Sequence, residues 1–273
     1  MKRKIGSVVL HAVMVALALI WIYPYVWMFL SSFKPANEIF TRFWPSRFTL
    51  EHYDFIFTMA EKLERPFLRA FLNSVFVSVT VTIAVVFTSA LVGYPLSKLR
   101  FRGRSAVFNF VIFQMLFPGF IFIIPLFVLI KNLGLLNTYA AMIVPYLMSA
   151  WGVFMTTQSY KSIPSDYIEA AKIDGAGTMW IIFKVMMPLV RGTLSIVGLF
   201  TFIGIWDNFM WPLIVVKDYD KMPLSVLLAT FNHEYASYVG PLLAGSVLQT
   251  IPMVLIFVIF RKQFLQGISM SFK

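Results

Sequence analysis

Cysteine is absent from all 273 residues. That excludes a disulfide framework, thiolate metal sites and cysteine redox chemistry. Histidine is scarce: His11, His52 and His233 are the only three, and they lie far apart in sequence. Neither an H-E-x-x-H helix nor a G-x-S-x-G elbow occurs, and no pair of carboxylates falls in an apolar run, so an intramembrane enzyme has none of its usual equipment. No G-x-x-x-x-G-K-[ST] loop is present either, and without that cradle for phosphates the chain is not expected to bind ATP. Acidic residues are few, 12 against 23 lysines and arginines, giving a net charge of +11.

Apolar sequence fills the space these residues leave. The chain is 59% hydrophobic with a mean hydropathy of +0.80, well above the roughly 45–50% apolar share of a soluble domain. Several runs approach or exceed the roughly 20 residues that cross a bilayer. We expect an all-α membrane protein with six spans, near residues 8–30, 70–95, 107–130, 139–158, 193–215 and 242–260. The start, MKRK and then an apolar run from Ile5 to Leu30, imitates a signal peptide. The run is far longer than an h-region of about 7–15 residues and reads as an uncleaved first span. Trp21, Tyr23, Tyr25 and Trp27 near its outer end fit an aromatic belt. The expected organisation is a first span with an external segment (1–69), a transmembrane domain (70–262) and a cytoplasmic tail (263–273). Within the external segment, Thr49 to Leu63 reads as a surface helix closed by Pro66.

Charge sets the orientation. With a cytoplasmic N-terminus, the inside segments carry Lys2, Arg3, Lys4, Lys98, Arg100, Arg102, Arg104, Lys161, Lys172, Lys184, Arg191, Arg261, Lys262 and Lys273. Only Asp166, Glu169 and Asp174 oppose them, so the inside segments account for the whole excess of +11. This is the positive-inside pattern, and it places both termini in the cytoplasm. The basic residues are a topology signal rather than a nucleic-acid surface. Asn73, Ser74, Ser78, Thr80, Thr82, Thr88 and Ser89 in the second span predict a helix packed against protein rather than lipid alone. Pro118-Gly119 and Pro125 are expected to kink or unwind the third span. Asp207 is the one acid inside an expected span, and such groups usually face a cavity or a partner. Gln114, Trp206, Asp207 and Asn208 are the candidate pathway residues.

The stretch Ile163 to Gly192 is a polar island. Pro164 disfavours helix at Ile163. Asp166 reads as an N-cap with Glu169 three residues on, a capping-box spacing. Tyr167 to Asp174 reads as a helix of roughly 12 Å, and Gly175 stands where a left-handed terminating residue is expected. A second helix, Thr178 to Met187, is bounded by Pro188. A short helix ending at glycine between two apolar runs is poorly placed to span lipid and well placed to dock.

Glu169-Ala170-Ala171, Asp174-Gly175-Ala176, Phe183 and Pro188-Leu189 together resemble the EAA loop of ABC importer membrane subunits. A second proline, frequent in that family near 191–192, is replaced by Arg191-Gly192. FTLEHYDFIF, Asn73-Ser74, Gly93-Tyr94-Pro95-Leu96 with FRGR, LGLLNT, and the tail through Gln263, Gln266-Gly267 and Lys273 resemble the carbohydrate-uptake branch, which includes maltose-type importers. The resemblance implies a type I importer permease in a bacterial or archaeal plasma membrane. It implies that Asp166, Ile168, Glu169, Ala170, Ala171, Asp174 and Gly175 form the coupling surface for an ATPase. It also implies ABC ATPase subunits holding the ATP and Mg, a second related permease and an external solute-binding protein as partners, besides membrane lipid. No cofactor or metal is expected in this chain. The rival reading, a secondary transporter driven by an ion gradient, would call for several buried ionisable groups or an internal repeat. One intramembrane acid and a single EAA pattern speak against it.

Overall fold

The computed structural model describes residues 2–59, 66–233 and 239–270, and every regular element among them is helical. We number the principal helices α1 (Lys2–Ser31), α2 (Phe67–Lys98), α3 (Arg104–Met115), α4 (Ile123–Asn132), α5 (Ala150–Lys161), α6 (Asp166–Ile173), α7 (Arg191–Trp206), α8 (Leu224–His233) and α9 (Val239–Met270). Four stretches are long and apolar enough to cross a membrane unbroken: Gly6–Ser31, Phe67–Lys98, Tyr139–Lys161 and Val239–Arg261.

The third expected span is broken where its prolines predict, and the fifth is interrupted as well. Residues 107–130 do not form one rod: α3 and the segment Gly119–Asn132 meet at 95°. Pro118, extended at φ −62° and ψ 130°, lacks the N–H a continuing helix needs and biases Phe117 away from helical geometry. Residues 193–215 are not continuous either. Helix α7 ends at Trp206 with Asp207 as its C-cap, and a separate turn, Met210–Val215, follows. Asp207 and Asn208 offer the backbone local alternatives to helix. At its other end α7 meets the stretch Thr178–Leu189 at 83°. Of the helix expected over 49–63, Glu51–Asp54 is α-helical and Phe55–Met59 π-helical. Residues 60–63, like Lys273, lie outside the described residues.

The chain forms two compact units, Met1–Leu68 with Val226–Pro252, and Arg69–Ser225 with Met253–Lys273. In the first, α1 buries none of its apolar window, whereas the turn after it is tightly closed. Ser31, Ser32 and Lys34 are fully buried. The Lys34 ammonium donates to Ser31 Oγ (2.9 Å) and to the Arg42 carbonyl (2.7 Å), and lies 5.7 Å from the centre of the Trp27 ring. Those partners compensate a charge that would be costly to bury alone. His52 hydrogen-bonds through Nε2 to the Lys34 carbonyl at 2.9 Å.

In the second unit α2, α5 and α7 pack through small residues. A Cβ on Gly152 would stand 2.4 Å from Ser89 Oγ and 3.1 Å from a Val197 methyl. One on Gly93 would stand 3.2 Å from Thr156, and one on Gly198 3.3 Å from Val86. Close backbone approach of this kind drives helix association in membranes. At one end Asn73 ties the layers together. Its amide donates to the carbonyls of Asp220 and Met222, both at 3.0 Å, and its oxygen accepts from the Tyr139 hydroxyl at 2.7 Å. Ser74 Oγ accepts from the Leu224 N–H at 2.8 Å. The polar face expected for the second span is thus spent on protein contacts: Asn73, Ser74, Ser78 and Ser89 are all buried.

Gly152→Val should force α5 away from α2 and α7 and lower stability by about 1–3 kcal/mol, the usual penalty of overpacking. Thermal unfolding in detergent measures it. An unchanged midpoint would mean that the three helices separate freely.

Candidate coupling surface and pathway residues

Helix α6 starts one residue earlier than its sequence predicts. Ser165 is the entry residue, and its carbonyl accepts from the N–H groups of Ile168 (2.8 Å) and Glu169 (3.0 Å). No side chain caps this end. Asp166 is therefore the first helical residue rather than the cap, and the expected Asp166–Glu169 capping box does not form. Both carboxylates still lie in the first turn, where the helix dipole favours negative charge.

The far end matches its expectation closely. Gly175 has φ +80°. Its N–H donates to the Lys172 carbonyl at 3.0 Å, and the Ala176 N–H donates to the Ala171 carbonyl at 2.9 Å. This pair of bonds is a Schellman termination. Ala176 and Ala171 belong to one apolar cluster, which supplies the contact that accompanies such a cap.

Two side chains anchor the helix. Ile168 and Ala171 are buried in a cluster with Ala90, Tyr94, Tyr160, Ile181, Ile182 and Met186. Tyr94 and Tyr160 meet edge to face, ring centres 6.3 Å apart at 86°. The Lys98 ammonium donates to the Ile163 carbonyl, which holds the loop entering α6 against the end of α2. Beneath α6 runs Thr178–Trp180, then a π-helical turn Ile181–Met186, then Met187–Leu189. The wider π-helical winding sets Ile181, Ile182 and Met186 together in the cluster. Pro188 stands one residue before the end of this continuous helix, Thr178–Leu189, so the helix runs one residue past the bound that its sequence predicts.

Of the seven residues expected to couple, Ile168 and Ala171 thus face the chain's own core, while Asp166, Glu169, Ala170, Asp174 and Gly175 are exposed. Two further residues share the outward surface: Tyr167 is 52% exposed and Ile173 86%. The sequence carried the signal of Ile173, because once Ile168 and Ala171 share the inner face, Asp166, Ala170 and Ile173 must share the opposite one.

The pathway candidates separate. Gln114 is exposed in the last turn of α3, just before the 95° bend. Trp206 is 2% exposed, stacked on Phe202 (5.7 Å, 14°) and edge-on to Phe71 (5.6 Å, 81°). It wedges the helix end and does not line an open space. Asp207 is exposed at the helix terminus. Asn208 donates to the Tyr146 hydroxyl at 3.1 Å, and its carbonyl accepts from Ser225 Oγ at 3.0 Å.

Residues 85–269, which contain this surface, match the family described as the binding-protein-dependent transport system inner membrane component. The chain belongs to that family. It is similar to the arabinooligosaccharides transport system permease protein AraQ of Halalkalibacterium halodurans, 33% identical over 99% of each chain. It is 32% identical to the diacetylchitobiose uptake system permease protein NgcG of Streptomyces coelicolor, over 95% of this chain and 86% of that one. In fold it is similar to a chain of a bacterial ABC transporter involved in the import of the acidic polysaccharide alginate. The TM-score is 0.86 at 23% identity, covering 96% of this chain and 97% of the other. The protein is thus a multi-pass membrane subunit of a type I ABC importer, a non-catalytic component of a binding-protein-dependent system.

In this permease a Cβ at Gly175 meets no atom within 4 Å, so substitution there is opposed by backbone conformation alone. Gly175→Ala should destabilise by about 1–2 kcal/mol. Gly192→Ala, the second residue of α7, should be neutral or gain up to about 1 kcal/mol. Paired thermal denaturation of the two variants tests the left-handed termination. Equal midpoints would contradict it.

Proposed function

We propose that this permease forms half of the translocation pathway of an ATP-driven carbohydrate importer. In this reading α6 is the coupling helix, which seats its Tyr167, Glu169, Ala170, Ile173 and Asp174 surface on a separate ABC ATPase subunit. The observation that carries it is an eight-residue helix anchored from below by Ile168 and Ala171, with an 86%-exposed isoleucine on its outer side. An exposed apolar side chain on a rigidly held polar helix is a typical anchor for a partner's pocket. The carbohydrate class is supported by relatives named for arabinooligosaccharide and diacetylchitobiose transport.

ATP and Mg are held by the ATPase, and this chain supplies no group to their chemistry. The charge asymmetry supports cytoplasmic termini and a cytoplasmic α6. A second, related permease completes the pathway. The apolar face of α1, unburied within this chain, is open to such a neighbour as well as to lipid. Substrate arrives from the external solute-binding protein. Asp207 and Asn208, at the break after α7, are the residues proposed to meet the pathway, and Gln114 flanks the other bend. ATP-driven closure of the ATPase pair pulls α6, and the cluster under it transmits the movement to α2, α5 and α7.

Ile173→Asp tests this directly, because the side chain makes no packing contribution to the chain itself. In liposomes with ATPase and loaded binding protein, the variant should insert and melt normally. It should lose roughly tenfold or more of the stimulated ATP hydrolysis, the loss expected of an interface anchor. Wild-type stimulation in that variant, or uptake driven by an ion gradient without any ATPase subunit, would overturn the reading.

A further inference from the structure

At the inside of the 83° corner between Thr178–Leu189 and α7 lies an apolar groove of about 530 Å³. Val86 of α2, Met187, Leu194 and Phe202, with Phe260 of α9, form its walls, and Arg191 is the charged residue on its lining. The groove follows one face of α7 from Arg191 to Phe202. Eleven residues at 1.5 Å each make about 16 Å, close to half of a hydrocarbon core of about 30 Å. The groove is therefore one leaflet deep, half of what a spanning helix would need.

Its chemistry changes along that length. The Phe202 end is apolar, whereas at the other end Arg191 opens α7 and Arg261 follows Phe260 directly, both exposed. Trp180, 54% exposed, and the exposed Lys184 lie on the other arm of the corner. Tryptophan beside lysine and arginine marks headgroup depth. Arg191 is the basic group on the lining, and the cytoplasmic acids Asp166, Glu169 and Asp174 are absent from it.

We infer that the groove holds one acyl chain of an anionic phospholipid of the cytoplasmic leaflet, with its phosphate on Arg191. The inference rests on the orientation proposed above. Met187 lines the groove and the adjacent Met186 supports α6, so the lipid braces the segment that carries the coupling helix.

The test uses the assembled transporter in nanodiscs containing a phosphatidylglycerol with a photoactivatable acyl chain. Adducts should map to the Leu194–Phe202 face of α7 and to Val86. Unlabelled phosphatidylglycerol should compete roughly fivefold better than phosphatidylcholine, the preference expected of one basic residue at an anionic headgroup. Arg191→Gln should erase that preference while leaving the adducts. Absence of adducts on this face in the wild type, equal competition by the two lipids, or an unchanged preference in Arg191→Gln would each overturn the inference. So would a photoreactive residue at Leu199 that links to a partner subunit instead of lipid. The orientation is read separately, by labelling a single cysteine at Gly192 with an impermeant maleimide from either side of the membrane. The chain's lack of cysteine makes that measurement clean.

Discussion

Ile168 and Ala171 bury one face of an eight-residue helix against Tyr94, Tyr160 and the π-helical turn Ile181–Met186. An isolated helix of that length is marginal in water, so the order of α6 comes from this burial. A fully buried isoleucine contributes about 1.5–3 kcal/mol, and the Schellman termination at Gly175 prevents the far end from fraying. Because α6 is gripped by two side chains, its remaining surface is free to be shaped for a partner. Because the grip reaches α2, α5 and the foot of α7, a force on α6 reaches the spans.

The spans are held chiefly by shape. Gly93, Gly152 and Gly198 let α2, α5 and α7 approach closely. Among the described residues, Ser78, Thr82, Ser89, Thr156 and Tyr160 bury hydroxyls that have no hydrogen-bond partner. Hydrogen bonds join the segments at Asn73 near the Tyr139 end, at Thr88 to the Leu147 carbonyl, at Thr193 to Ser159 and at the Lys98–Ile163 bond by the loop into α6.

Much of the local structure of the proposed coupling surface was legible in the sequence. Pro164, the EAA run and Gly175 located α6 to within one residue, because proline, alanine and glycine act on the local backbone whatever surrounds them. The Asp166 cap was misread for an equally physical reason: Ser165 is itself near-helical, so the entry carbonyl takes the first bonds and no side chain is needed. Tyr167 and Ile173 went unnoticed, because in an apolar chain one more exposed isoleucine has no signature until the inner face of its helix is known. Trp206 differs from its neighbours Asp207 and Asn208 in that its ring is buried against Phe71 and Phe202.

Composition alone determined that the chain is helical and crosses a membrane, since a backbone in lipid must satisfy its own hydrogen bonds. The charge asymmetry determined an expected orientation, and the prolines determined where helices are weak. Tertiary structure decided how far each weakness yields. Pro24, Pro95 and Pro252 remain inside continuous helices, whereas Pro118 marks a 95° turn. Between Leu189 and Arg191 the path turns by 83°, just after Pro188. Proline sets only the local loss of one hydrogen bond. Whether a helix then runs on or turns depends on which neighbours are there to bury the two arms, and that is information held by the assembled bundle.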